Sequence, residues 1–472
     1  MSAGHQKANQ PHLKRVLCRR DLVLLFVVAI FNLNVVPTIA ANGGVTIWLW
    51  IISLILFFGP QGIAVIELAH RYPGEGGVYL WSKELFGDFH GFFSGWCYWT
   101  NNMLYVPTVM LYFVGVSVFV LGSRHESLAD HKVFAICTSL ALLAVLAILN
   151  ILGSAIGKWL NNIGAIGTVI AAVALIVLGA IVSSKTGFTM TAADFRIPHD
   201  PRLVLNSFGV ICFALVGLEL ASIMGDEIEN PRRTLPGAVA WGGVISGLLY
   251  IATTLTLLVA VGKDINVLQG IMQAVSHFSR EVGIGWVVPV FALMLSISIA
   301  GIGSAWLGGS ARIPFVAGLD SYMPAWLGRL HPKYGTPYAA LLVHVTISML
   351  LCVVFFGFSS VEEAFQTMLS LAVVLQLVPY LYVFGALLKL AAHGPDGEGV
   401  YKKPVLVAAG ISGLLTTALG ILLQYFPPQL IKSLGVYESE MILGTVFFAG
   451  LAAYFFFVYG RRKAPETAAT GA

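Results

Sequence analysis

Two short stretches place polar chemistry inside runs otherwise fit for hydrocarbon. The first reads Ala29-Ile30-Phe31-Asn32-Leu33-Asn34-Val35-Val36-Pro37, with two amide side chains and a proline close together. Pro37 has no N–H to give to a helix ladder, and it disfavours helical geometry at Val36. Broken backbone at membrane depth is tolerated only where it is buried in protein or lines a cavity, so an unwound stretch here implies a site. The alternative is a kinked helix whose asparagines bond to neighbouring helices. The second stretch runs from Ser207 through Phe213, Ala214, Val216 and Gly217 to Glu219. Gly217 supplies a flexible backbone point, and the Glu219 carboxyl is costly in an apolar segment unless it is paired, protonated or facing water. Glu219 therefore reads as a gating or proton-coupling residue, the structural alternative being an ion pair with Lys158 or Arg312.

The elements that must position these residues follow from composition. The chain has 472 residues, 57% hydrophobic and 11% charged, with a mean hydropathy of +0.84. A soluble globular chain carries about 25% charged residues, so that class is excluded. A spanning helix needs roughly 20 apolar residues. Twelve candidate spans appear at about 21–41, 45–69, 89–122, 132–152, 155–182, 204–225, 235–261, 286–315, 337–357, 363–390, 403–426 and 439–460. The fold class expected is an all-α polytopic membrane protein. Lys14, Arg15, Arg19 and Arg20 before the first run, with Thr38-Ile39-Ala40 after it, also resemble a cleaved signal peptide, but Asn32 and Asn34 interrupt the apolar region. The net charge of +4 and the lack of any long block of like charge point away from nucleic acid. The five cysteines contain no C-x-x-C pair, so neither a disulfide framework nor a metal site is indicated, and no cofactor is expected.

Basic residues resist translocation, and of the 27 Lys and Arg, 19 fall on the side of the N-terminus and 8 on the other. Both termini are expected in the cytoplasm, at 1–20 and 461–472. Spans one to five (21–183) and six to ten (204–391) share a rhythm: a loop of about twenty residues after the second span, then an unusually long third span. Five is odd, so the second set starts from the opposite side of the membrane. Inverted five-helix repeats of this kind bind substrate near the midplane, where the first helix of each repeat is broken. Spans eleven and twelve (402–460) lie outside the repeat and are expected to be peripheral.

Phe213, Gly217 and Glu219 as F-x-x-x-G-x-E, followed by Glu227, Asn230, Pro231 and Arg233, resemble the sixth-helix signature of the amino acid-polyamine-organocation superfamily. Pro73-Gly74-Glu75-Gly76-Gly77-Val78-Tyr79, with Phe86-Gly87, Gly91-Phe92, Gly95-Trp96 and Tyr98-Trp99, is similar to the family's first cytoplasmic loop and third-helix entry. Arg312, Asp320, Pro324 and Tyr334-Gly335-Thr336-Pro337 resemble its loop after helix eight. The resemblance covers roughly residues 20 to 390, in order. It implies twelve transmembrane helices with a LeuT-like five-plus-five inverted repeat, helices one and six broken, and secondary transport of amino acids or related amines by alternating access. It further implies that a substrate carboxylate meets the backbone of Phe31, Asn32, Leu33 and Asn34, and an amino group the carbonyls of Phe213, Ala214 and Val216 beside Gly217. Phe213 aligns with the family's aromatic lid, and Trp306 with a buried tryptophan of some exchangers.

The departures matter too. The G-S-G triplet of many relatives is replaced by Ile30-Phe31-Asn32-Leu33-Asn34, and the mid-helix-five lysine of some proton-coupled relatives is absent from Ile163-Gly164-Ala165-Ile166-Gly167-Thr168. Exchange, facilitated uptake and proton coupling through Glu219 stay open. The first helix and the Pro-Gly-Glu-Gly-Gly loop are most similar to the glutamate/4-aminobutyrate-type exchanger branch. Selectivity is expected from Asn101, Asn102 and Tyr105 on span three, Ser296 and Ser298 on span eight, and Gln376 and Tyr380 on span ten. No acidic residue lies in the middle of those spans, which favours neutral or polar amino acids. The expected partners are a small amino acid, the lipid bilayer of a bacterial inner membrane and a proton or counter-substrate, as a monomer or homodimer. No H-E-x-x-H, paired aspartates or nucleophile elbow argues for an enzyme. A sensor that binds without translocating is the alternative function.

Overall fold

A computed structural model of the chain describes residues 19–72, 77–187, 190–197, 202–219, 231–262, 264–311, 322–358, 360–393, 399–428, 431 and 434–460. Among the described residues there is no strand, and ten helices are long and apolar enough to cross a membrane. Expected spans one and six are not among the ten: span one is built from shorter pieces, and of span six the structure describes one short helix and the five residues after it. Span one is α1 (Arg19–Ile30), a 3-10 turn (Leu33–Val35) and α2 (Val36–Ala40). Then come α3 (Thr46–Arg71), the short α4 (Val78–Phe86), α5 (Asp88–Ser117), α6 (Lys132–Leu152) and α7 (Ser154–Thr186). The second half begins with α8 (Arg202–Ala214) and continues through α9 (Pro231–Val261), the short α10 (Gly270–Val282) and α11 (Val287–Ser310). It ends with α12 (Tyr338–Phe358) and α13 (Val361–His393), after which α14 (Lys403–Leu423) and α15 (Leu434–Ala453) complete the chain. The shared rhythm extends to the loops: α4 and α10 occupy corresponding places after the second helix of each half.

Pro37 does not break span one where the sequence alone places the strain. Val36 is helical (φ −63°, ψ −44°) and Pro37 stands in the first turn of α2, where a missing N–H costs nothing. The ladder is interrupted earlier, at Phe31 and Asn32, where Asn32 is extended (φ −121°, ψ 112°). Pro60 acts differently in α3. Its missing N–H frees the Leu56 carbonyl inside a π-helical turn (Leu54–Phe58), and the hydroxyls of Ser412 (2.8 Å) and Thr416 (3.2 Å) on α14 donate to that oxygen.

Small residues let α7 and α11 approach closely. A Cβ on Gly164 of α7 would fall 2.7 Å from the Gly301 Cα of α11, so the two backbones meet directly. Ser298 belongs to this contact, lying against Gly167 and donating to the Met294 carbonyl (2.9 Å). It faces α7, whereas the sequence reading turned it toward the break.

Span eleven is more than peripheral. At one end of α14, the buried Glu67 carboxylate of α3 takes the Arg71 Nε (2.6 Å) and the backbone N–H groups of Val400 (2.9 Å) and Tyr401 (3.0 Å). At the other end the Gln424 amide donates to the Asn206 carbonyl of α8 (2.7 Å), and the Asn206 amide lies near Gln424, Ser370 and the Tyr437 hydroxyl of α15. Pro73–Gly76, Glu227, Asn230, Arg312 and Asp320 lie outside the described residues, as do the side chains of Lys158 and Arg233.

Candidate functional site

The two interrupted helices face each other. Beyond Ala214 the chain leaves helical geometry, and Gly217 takes φ +135°, a region L side chains rarely adopt. A Cβ there would sit 3.3 Å from the Ala29 carbonyl oxygen, at the end of α1. One side chain, Tyr250 of α9, joins both breaks. Its hydroxyl accepts the Asn32 N–H (2.9 Å) and donates to the Ile30 carbonyl (2.6 Å), with the Ala214 carbonyl at 3.1 Å. The Asn32 amide adds a second donor to Ile30 (3.3 Å). Thus some of the backbone groups freed at the two interruptions, at Asn32, Ile30 and Ala214, meet a hydroxyl where a helix would use its own ladder. The ring is held in place by stacking on Trp50 (4.3 Å, 18°) and by Phe31 (4.8 Å), and Trp50 itself donates to Thr254 (3.2 Å).

Beside the breaks is an aromatic cluster with one polar partner. The Tyr105 hydroxyl of α5 pairs with the Asn34 amide at 3.2–3.3 Å. The Tyr105 ring meets Phe213 (5.1 Å, 68°) and Trp306 of α11 (5.9 Å, 89°) edge to face. Tyr105 and Asn34 are buried, whereas Phe213 and Trp306 are only partly so. Leu33 and Asn34 head the second half of span one, where helix geometry supplies their N–H groups with no partner. On the opposing piece the Phe213 carbonyl takes the Val216 N–H (3.2 Å), and the Ala214 carbonyl lies 3.1 Å from the Tyr250 hydroxyl, whose one proton is shared with the nearer Ile30 carbonyl, so both oxygens keep lone pairs to offer. Asn102 is not part of this cluster's hydrogen bonding; its amide turns back along α5 to the Tyr98 carbonyl (2.9 Å).

Below Gly217, Glu219 is 3% exposed and joins three helices. Its Oε2 accepts the Gly217 N–H (2.9 Å) and the Tyr380 hydroxyl of α13 (2.5 Å), and its Oε1 accepts the Tyr98 hydroxyl of α5 (3.2 Å). The same two helices are bridged again, about one turn away, by the Asn101 amide donating to Gln376 (2.6 Å). Gln61 of α3 donates to Tyr380 (3.0 Å). Of the residues singled out in the sequence, Glu219, Tyr105, Asn34, Phe213 and Trp306 lie at these contacts. Sequence reasoning missed Tyr250, Trp50 and Gln61, of which only Gln61, an amide in an apolar run, carried a local signal.

Apposed broken helices inside a bundle of long apolar ones define a membrane transporter scaffold. The solved structure of MhsT in complex with L-phenylalanine superposes on 87% of this chain and all of its own at a TM-score of 0.57 and 12% identity, which fixes the fold as LeuT-like. An uncharacterized transporter of Legionella pneumophila is 30% identical over 452 residues, 93% of this chain and 96% of the relative. A probable agmatine/putrescine antiporter of Lactococcus lactis, AguD, is 24% identical over 397 residues, 83% and 82% of the two chains. The family model described as amino acid permease matches residues 21–451. The chain belongs to that family, within the amino acid-polyamine-organocation superfamily, and is a multi-pass membrane transporter, not an enzyme.

Proposed function

We propose that the protein is a secondary active carrier of amino acids or closely related amines that works by alternating access around its two helix breaks. The observation that carries this reading is the pair of opposed helix ends. N–H groups at the head of the Leu33–Val35 turn carry positive partial charge, and carbonyls at the end of α8 carry negative partial charge. A zwitterion placed between them meets both its complements, its carboxylate toward Leu33 and Asn34 and its amino group toward Phe213 and Ala214. Asn34, Tyr105, Phe213 and Trp306 then meet the side chain, Phe213 as the lid. Neutral or polar amino acids are the favoured cargo, because the amide, hydroxyl and aromatic groups of this cluster offer hydrogen bonds without a formal charge. Glu219 with Tyr98 and Tyr380 forms the gate on one side, the cytoplasmic one in a twelve-span arrangement with both termini inside. AguD is named as a probable agmatine/putrescine antiporter, so amines of that class belong in the test.

The experiment is counterflow in proteoliposomes loaded with one unlabelled amino acid or amine at a time, following labelled glutamate, 4-aminobutyrate, leucine, serine, arginine and putrescine. Trans-stimulated uptake of a neutral or polar amino acid is expected. Stimulation by arginine or putrescine alone would overturn the favoured cargo while keeping the carrier. Uptake of none, beside thermal stabilisation by an amino acid, would mean binding without translocation.

A further inference from the structure

The tyrosine that touches Glu219 from α13 is itself held from behind. Gln61 is fully buried on α3, its Nε2 lies 3.0 Å from the Tyr380 hydroxyl, and its Oε1 has no hydrogen-bond partner. A tyrosine hydroxyl has one proton to give. That of Tyr380 goes to Glu219 Oε2 at 2.5 Å, so the Tyr380 oxygen must accept from Gln61. Were the amide turned round, two acceptors would compete for one proton. The unpartnered Gln61 Oε1 is therefore what remains when the amide's donor is required on the tyrosine side. The result is a relay polarised in one sense, from amide N–H through phenol O–H to carboxylate.

We propose that Gln61 is a positioning residue of the gate: by donating to Tyr380 it aims the Tyr380 proton at Glu219 and so sets the pH at which the gate takes up a proton. This rests on the reading of Glu219 as the gating group. A chain of hydrogen bonds is strengthened along its length when it ends on an ionised acceptor. Protonated Glu219 must instead turn one oxygen into a donor, which the incoming Tyr380 and Gly217 protons oppose at Oε2. Among the described residues, Tyr98 on α5 and Tyr380 on α13 are titratable groups that hydrogen-bond Glu219 from neighbouring helices, and Gln61 reaches it through Tyr380. Without the amide donor the carboxylate state loses more than the protonated state, and the gate protonates at higher pH.

The test is the pH profile of counterflow for the wild type, Gln61→Met, Glu219→Gln, Tyr380→Phe and Gln61→Met combined with Tyr380→Phe. Gln61→Met keeps the length of the side chain and removes its donor. It is expected to move the midpoint of the acid limb up by about one pH unit, the scale of one hydrogen bond. In the Tyr380→Phe background the same change should move nothing further, because the relay is already cut. Gln61→Asn, which withdraws the amide by one methylene, should repeat the shift and covers the case in which the methionine variant does not fold. A uniform loss of rate at every pH in Gln61→Met and Gln61→Asn would mean that Gln61 only packs, and would overturn the proposal while leaving the gate. Identical profiles for the wild type and Glu219→Gln would show that the gate reading itself had failed.

Discussion

Tyr250 engages three backbone groups with one hydroxyl, at Asn32, Ile30 and Ala214, and these belong to both interrupted helices. No other described side chain is hydrogen-bonded to both breaks in this way. Tyr250→Phe keeps the ring on Trp50 and Phe31 and removes only the oxygen, so it isolates this role. A buried polar group left without a partner costs about 1–3 kcal/mol. Ile30 retains the Asn32 amide, so the loss falls mainly on the Asn32 N–H, whose acceptor is gone. We expect counterflow to slow by about tenfold or more, which corresponds to roughly 1.4 kcal/mol on the limiting step. The apparent thermal midpoint in detergent should drop by only a few degrees. Wild-type turnover in Tyr250→Phe, with or without a change in thermal midpoint, would leave Tyr250 no part in the transport cycle.

Whether an element was legible depended on whether its cause was local. Asn32, Asn34 and Pro37 made an interruption one of two readings of span one, the other being a kinked helix whose asparagines bond to neighbouring helices. The register of the break could not be read, since Pro37 serves as the first turn of α2 and the break falls at Phe31 and Asn32. Glu219 was visible from the cost of a carboxyl in hydrocarbon, yet its tyrosine partners lie 121 and 161 positions away, beyond any periodicity. Tyr250 looks like packing in sequence, because its partners on span one are 218 and 220 residues distant. Trp306 was singled out by resemblance alone, and Ser298 was assigned to the wrong face of its helix because a hydroxyl on an apolar helix fits a glycine contact as well as a binding site. Gly217 is the element-scale feature that sequence and structure both single out, and it can be tested directly. Gly217→Ala puts a Cβ 3.3 Å from the Ala29 carbonyl oxygen at φ +135°, a strain of about 1–3 kcal/mol. We expect a monodisperse protein with transport reduced severalfold, against no loss in Gly435→Ala on α15, where a Cβ meets nothing within 4 Å. Equal transport in the two variants would show that the close approach of the breaks is not required.

At the scale of the whole molecule, α14 is tied to two separate parts of the transporter core. Glu67 of α3 holds the chain just before it, Asn206 of α8 holds the residues just after it, and Ser412 and Thr416 fasten its middle to Leu56. Twenty-one residues of helix place the two end ties about 30 Å apart. Sites that far apart should destabilise independently unless the helix between them comes away as one body. Glu67→Ala leaves Arg71 without its carboxylate at 10% exposure, a change that costs about 3–5 kcal/mol when a buried pair is broken. Gln424→Ala removes the buried amide that donates to the Asn206 backbone carbonyl and costs less, about 1–3 kcal/mol. Because the middle tie survives in both, the loss in apparent thermal midpoint of the double variant should equal the sum of the two single losses. A double variant no worse than Glu67→Ala alone would mean that freeing one end already releases α14 as a unit, and that the hydroxyl ties to Leu56 do not hold it.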